Sequence, residues 1–258
     1  VVVSVSAFCD LTGKKAMVTG SSSGIGKAIA LELAEAGADV LIHYRNSSLA
    51  AEAVVEEIRS RGRESEMLSL DLAHQEKYDD FINRAFQKWG TLDIWVNNAG
   101  VDLLTGDQAK LGYDAKLEKL FDIDVRGTVL LSREVGRRMS EQGHGCILNI
   151  GWDQSDRGME GASGELFATS KNAIMGFSRS LAVSLAPKVR VNCIAPGWIL
   201  TAWGESASEV WQERVKQETP MDCWGTPQDI ANMARFLCSR EAAYITGQVI
   251  NVNGGAVR

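Results

Sequence analysis

The chain has 258 residues, 45% of them apolar, enough to bury one sizeable α/β core, and a net charge of −6 with a pI near 5.2. An acidic chain without a long basic block is not built for nucleic acid or for an anionic membrane surface, which leaves small molecules as the expected ligands. The five cysteines are scattered, form no C-x-x-C pair and stand apart from the three histidines, so reduced thiols in a cytoplasmic setting are expected, and no metal site. The apolar opening "VVVSVSAF" is short and lacks a basic flank, so it reads as neither a signal peptide nor a membrane span.

In chain order, short β-branched runs alternate with stretches of helical period. Residues 15–20, 39–44, 64–70, 92–98, 145–150, 189–195 and 248–253 read as strands. Between them, 24–37, 47–62, 75–90, 117–142, 165–185 and 227–238 carry apolar residues every third or fourth position. Strict alternation predicts a doubly wound, seven-stranded parallel sheet with helices on both faces, since right-handed crossovers lay each helix against the sheet. With four prolines and no Ser/Gly-rich linker, the whole of 1–258 is expected to be one domain. The stretch 199–225 fits no unit. It is rich in Trp, Glu and Ser, and is expected to be a lid with one or two short helices over a site.

The first strand runs into "TGSSSGIG" (19–26) and then directly into a helix. Gly20, Gly24 and Gly26 let the backbone turn, approach a phosphate and pack helix on strand, while the helix N-terminus offers free N–H groups to a pyrophosphate. This is a dinucleotide site by context, because strand, glycine loop and helix occur in order. The end of the second strand reads "HYRNSS". A carboxylate there would bond a ribose 2′-hydroxyl, but the chain has Arg45 instead, so NADP(H) is favoured over NAD(H), with Arg45, Asn46 and Ser47 on the 2′-phosphate. The alternative is that Arg45 is an ordinary solvated charge.

The Gly-x-x-x-Gly-x-Gly spacing, together with "NNAG" (97–100), "DL" (71–72), "LAPKVRVNCIAPGWILT" (185–201) and "ITGQVINVNGG" (245–255), resembles the short-chain dehydrogenase/reductase family over nearly the whole chain. The glucose dehydrogenase and 3-oxoacyl-carrier-protein reductase type looks nearest. The resemblance implies a Rossmann fold in which Gly20, Ser22, Ser23, Gly24, Ile25 and Gly26 wrap the pyrophosphate and Asp71 and Leu72 hold the adenine. It places Asn98, Ala99 and Gly100 along the cofactor. The "APGWILT" segment, with Pro196, Gly197, Ile199 and Thr201, meets the nicotinamide, and Lys171 meets its ribose. It also implies a homotetramer or homodimer, paired through the helices over 117–142 and 165–185 with a second contact near the last strand.

The family's proton chemistry uses an Asn-Ser-Tyr-Lys set, in which Tyr-x-x-x-Lys puts both side chains on one helical face. Here "LFATSK" places Phe167 at the tyrosine, "ILNIGW" places Trp152 at the serine, and "FDIDVRG" places Asp124 at the asparagine. Only Lys171 is retained. Fifteen positions separate Trp152 from Phe167, so the loop between them carries an insertion, and Ser155 becomes a substitute for the serine. Asp153, Asp156, Glu160 and Glu165 in that loop are candidate acids, or else solvated carboxylates. Trp152, Trp198, Trp203, Trp211 and Trp224 either line an aromatic substrate site or fill space left by the lost polar groups. Function stays open between three readings: a reductase or dehydrogenase with an unusual acid, a noncatalytic NADP(H)-binding sensor or partner subunit, and a structural role without nucleotide.

Overall fold

The computed structural model describes residues 7–258, so most of the apolar opening, residues 1–6, lies outside the described residues. Seven strands, β1 (Lys15–Val18), β2 (Asp39–Tyr44), β3 (Ser65–Ser69), β4 (Ile94–Asn97), β5 (Gly145–Ile150), β6 (Val189–Pro196) and β7 (Val249–Val252), form one parallel sheet in the order β3-β2-β1-β4-β5-β6-β7. The order reverses between β1 and β4, and a ligand crevice opens where adjacent crossovers leave in opposite directions.

Both faces of the sheet are covered, which is why its strands are almost continuously apolar rather than alternating with polar residues. Side chains still alternate between two cores. Val18, Val96 and Leu148 face α1 (Gly24–Glu35), α2 (Ser48–Ser60) and α10 (Pro227–Cys238), where Ile29, Leu33, Val54, Ile58 and Leu237 are fully or nearly fully buried. Met17, Trp95 and Ile147 face the other way, towards α3 (Tyr78–Gln87), α5 (Gly127–Gln142) and α7 (Ala162–Leu185). Each buried Leu or Ile stabilises the fold by about 1.5–3 kcal/mol. Local signals set the ends: α10 opens on a capping box, in which Thr226 N–H donates to Asp229 Oδ2 (2.7 Å) and Pro227 takes the first turn. At its other end α5 stops at Gly143, whose φ of 93° only glycine tolerates cheaply.

The helix expected over 117–142 begins earlier and is not uniform. It is a run of α4 (Tyr113–Lys119), a π-helical stretch (Leu120–Arg126) and then α5, and the wide turns carry Asp124 inward to 2% exposure. Such π segments interrupt α-helices mostly at functional sites. The stretch expected at 75–90 is likewise a 3₁₀ turn (Gln75–Lys77) followed by α3, and a single helical turn, α6 (Gln154–Arg157), stands in the expected loop after β5. Over 199–225 two short helices form, α8 (Ala202–Ser206) and α9 (Glu209–Glu218).

A buried polar chain fixes the second face. Trp95 Nε1 donates to Asn97 Oδ1, Asn97 Nδ2 to Asn149 Oδ1 and Ser132 Oγ, and Asn149 Nδ2 to Ser178 Oγ, each at 2.8 Å. This ties β4 and β5 to α5 and α7, the helices that deliver the site's side chains. Fully satisfied networks of this kind specify a unique packing.

Candidate functional site

A single cleft of about 1040 Å³ runs along the C-terminal ends of the strands. The loops after β1 to β6 all contribute to it, as expected for an open parallel sheet. Its floor at the switch point is a tight backbone approach: a Cβ on Gly20 would lie 2.8 Å from Ala99 Cα, and one on Gly26 would lie 2.3 Å from Gly20 O and 2.4 Å from Asn98 Nδ2. Gly20 and Gly24 have φ of 63° and 55°, where an L side chain is strained. Ser22, Ser23 and Ile25 line the cleft beside the N-terminus of α1, and Gly26 packs directly on Gly20 and Asn98 behind them.

Two side chains hold this loop. Asn98 Nδ2 donates to the carbonyls of Thr19 (3.0 Å) and Gly20 (3.1 Å), so its amide braces the loop as well as lining the wall. His43, which the sequence reading left without a role, lies 2% exposed at the end of β2; its Nδ1 accepts from Gly20 N–H (2.8 Å) and its Nε2–H donates to Leu70 O (3.0 Å). Those bonds require the neutral Nε2–H tautomer, and burial lowers the pKa to about 4, against the bond to Leu70 and the charge of Asp71. The signal was a histidine inside a strand buried on both faces, which must be satisfied there.

Arg45, Asn46 and Ser47 are exposed at one end of the cleft, and Asp71 and Leu72 lie beside them after β3. Ala99, Gly100, Pro196, Gly197, Ile199 and Thr201 continue the wall to the other end, where Trp152, Phe167 and Lys171 stand. Here the reading of Asp124 acquires a partner. Lys171 Nζ is 3.1 Å from Asp124 Oδ2, with the side chains 15% and 2% exposed, and it approaches Ile150 O at 3.5 Å. Asp124 Oδ1 accepts from Val101 N–H (2.8 Å). The carboxylate therefore ties α7 to the loop after β4.

None of the candidate acids between residues 153 and 165 lines the cleft. Asp153 is fully buried but faces the C-terminal segment, accepting from Asn253 Nδ2 (2.9 Å), and burial raises its pKa to about 6. Ser155, the proposed substitute serine, is buried in α6 with its hydroxyl unpartnered and is absent from the cleft wall. Asp156 is exposed, Glu160 pairs with Arg214 (2.9 Å), and Glu165 accepts from Tyr113 Oη (3.2 Å). Beyond β5 the backbone keeps pairing with β6, Gly151 N–H donating to Ile194 O (2.8 Å) and Asp153 N–H to Pro196 O (3.2 Å), and Gly151 packs too closely on Met175 Cγ (2.8 Å from a Cβ there) to carry a side chain.

No tyrosine replaces the missing one at this end. Tyr78 and Tyr113 do not line the cleft, Tyr244 is fully exposed, and Tyr44 lines it beside Arg45. Instead the end is aromatic: Trp152 stands edge-on to Phe167 (6.3 Å between ring centroids) and to Trp198 (6.4 Å). Trp203 and Trp211 continue the wall, and Trp224 packs behind Trp203 at 6.1 Å. Among the described residues no group of three His, Cys, Asp or Glu side chains is placed to hold a metal, and all five cysteines are unpaired.

The chain matches a family model described as enoyl-(acyl carrier protein) reductase over residues 20–257. It is 38% identical to a 3-oxoacyl-[acyl-carrier-protein] reductase of Synechocystis over 96% of this chain and 98% of that one, and 40% identical to a protein of the same description from Aquifex aeolicus over 95% and 98%. Among solved structures it resembles a putative short-chain alcohol dehydrogenase from Sinorhizobium meliloti (34% identity, TM-score 0.88, covering 97% of this chain and 98% of that one). It resembles equally a 7α-hydroxysteroid dehydrogenase in complex with NADH and a 7-oxo bile acid (35% identity, TM-score 0.88, 96% of each chain).

Proposed function

The chain belongs to the short-chain dehydrogenase/reductase family of oxidoreductases, and from that premise we propose that its cleft binds NADP(H) and serves hydride transfer between the nicotinamide and a small carbonyl or alcohol substrate, at a rate limited by the missing proton donor. The observation that carries this reading is the continuity of one cleft from Arg45, past the glycine loop and Asp71, to Lys171. The cradle fits the group: the backbone at Gly20 and Gly26 has no room for a side chain, and the N-terminus of α1 faces the same space. Arg45 forms no ion pair with the described residues, which leaves its guanidinium for a 2′-phosphate. When bound, the nicotinamide supplies or accepts the hydride.

The residues of the chain divide the remaining work. Lys171, the one lysine on the cleft wall, orients the nicotinamide ribose, and Asp124 fixes the ammonium by ion pair. Phe167 offers no proton, so a developing alkoxide takes one from Lys171 Nζ or from water. Losing a positioned general acid costs about a hundred- to ten-thousandfold in rate, so turnover is slow rather than absent. One observation favours a second reading, a noncatalytic NADP(H)-binding sensor or partner subunit: Trp152 and Phe167, which stand at the serine and tyrosine positions, pack edge-on against each other and offer no proton. We infer a homodimer or homotetramer and, from five unpaired thiols, a cytoplasmic setting.

The experiment is to incubate the protein with NADPH and a panel of ketones, aldehydes and ketoacyl thioesters and follow nicotinamide absorbance. Substrate-dependent oxidation supports the oxidoreductase. Tight NADPH binding with no oxidation across the panel establishes the noncatalytic reading.

A further inference from the structure

Resting on the reading of the cleft as a dinucleotide site, we infer that its substrate end selects a free aromatic ketone or alcohol that is neutral or cationic, and discriminates against acyl chains presented on an acidic carrier. The first observation is an unbroken aromatic wall. From Phe167 and Trp152 the ring contacts continue through Trp198 to Trp211 (5.4 Å) and Trp203 (6.2 Å), and those two meet each other at 5.7 Å. All five line the cleft, and they come from the loops just after β5 and β6, from α7 and from both short helices α8 and α9. The rings meet at varied angles, 71° and 80° at Trp152 but 30° between Trp198 and Trp203, so faces and edges are both presented to a ring entering the cleft. Aromatic pairs are favoured beyond the area they bury, so two such contacts amount to a preference of about five- to a hundredfold over an aliphatic chain.

The second observation is that the wall is held in place. Trp198 is 9% exposed, and its indole N–H donates to Glu218 Oε2 (3.2 Å). Arg214 lies over Trp211 at 4.7 Å and pairs with both Glu218 (2.8 Å) and Glu160 (2.9 Å). One guanidinium thus joins the lid helix α9 to the loop after β5 and fixes the ring between them, which lowers the ordering cost of binding.

The third observation is charge. The segments 102–110, 153–165 and 199–225 together carry eleven acidic and four basic residues, a formal net −7 against −6 for the whole chain; the acids of 153–165 stand back from the cleft, whereas Asp102 and Asp107 line it and Glu205 and Glu209 are exposed on the two short helices above it. Three of those four bases are already paired within the rim, Lys110 with Asp107, Arg214 with Glu160 and Lys216 with Glu213. A rim of this sign repels an acidic carrier or a carboxylate and attracts an ammonium, which the aromatic faces also favour.

The test is equilibrium binding to the full chain saturated with NADPH, read by quenching of tryptophan fluorescence. The probes are 2-acetylnaphthalene, an analogue bearing a trimethylammonium group, an analogue bearing a carboxylate, and acetoacetyl-coenzyme A. The neutral and cationic naphthyl ketones are expected to bind at least tenfold more tightly than the other two. Replacing Trp211→Leu is expected to weaken the aromatic probes at least fivefold, with the NADPH titration of the same variant reporting whether it is folded. Charge reversal at the exposed Glu205→Lys and Glu209→Lys is expected to tighten the carboxylate and the thioester. Equal or tighter binding of the thioester by the unaltered protein, or an unchanged aromatic affinity in Trp211→Leu, overturns the inference and leaves the dinucleotide site standing. Failure of the unaltered protein to bind NADPH overturns the reading of the cleft first.

Discussion

Acidification is expected to loosen the glycine loop through His43. In the native protein the imidazole is neutral, with Nδ1 accepting from Gly20 N–H; a proton on Nδ1 turns that acceptor into a donor facing a donor. Burial lowers its pKa from the usual 6.5 to about 4, so between those values the unfolded chain binds a proton that the native one refuses. Stability is therefore intact above pH 6.5, falls as the pH drops towards 4, and has then lost about 3 kcal/mol. Asp153 acts in the opposite direction over nearly the same window. Its pKa is raised from 3.8 to about 6, so the native state holds a proton that the unfolded chain has released, and stability declines as the pH rises through that range. The two contributions nearly cancel in the unaltered protein, so the informative quantity is a difference. His43→Asn keeps an acceptor for Gly20, cannot be protonated, and gives up the bond to Leu70, at a cost of about 1–3 kcal/mol near pH 7.5. Urea unfolding of both proteins from pH 4 to 7.5 should show the unaltered protein losing its advantage, the gap changing by about 3 kcal/mol towards pH 4. A gap constant to within about 0.5 kcal/mol across the range would refute the assignment of a neutral, loop-bracing histidine.

The remaining predictions concern the site and its surroundings. Asp153→Asn should be more stable than the unaltered protein at pH 7.5 by up to about 3 kcal/mol and converge with it near pH 4, as checked by the same unfolding series. Gly26→Ala forces a methyl against Gly20 O and Asn98, so a loss of about 1–3 kcal/mol in stability and a severe loss of dinucleotide affinity are expected from melting and NADPH titration. Phe167→Tyr restores a hydroxyl one helical turn before Lys171 and should raise the turnover of any accepted ketone by about a hundredfold or more in steady-state assays. Arg45→Asp should weaken NADPH by about ten- to a hundredfold, equivalent to one charge-assisted bond, while NADH is unaffected or improved.

What could be read in the sequence was local. The seven strands, the two-faced sheet and the glycine loop follow from short runs whose period or spacing has one structural solution, and residues 199–225 hold two short helices. What escaped the reading depends on pairs distant in sequence. Asp124 looked like a lost asparagine until a π-helical turn, which has no sequence signature of its own, set it 3.1 Å from Lys171, 47 positions away. The carboxylates after β5 drew attention by standing next to Trp152 in the chain, but Asp153 pairs its backbone with Pro196 and its carboxylate with Asn253, a residue 100 positions away. The tryptophans are spread over residues 152 to 224, and only the fold brings them together, with Trp152, Trp198, Trp203 and Trp211 on the cleft and Trp224 behind Trp203.

One cleft, from Arg45 to Lys171, is proposed to hold a phosphorylated nicotinamide dinucleotide. Titration of the purified protein with NADPH and NADH, followed by nicotinamide fluorescence excited through the nearby tryptophans, tests it directly. Saturable binding of both is expected, with NADPH at least tenfold tighter and that margin abolished in Arg45→Asp. Binding of neither, or tighter binding of NADH by the unaltered protein, would contradict it.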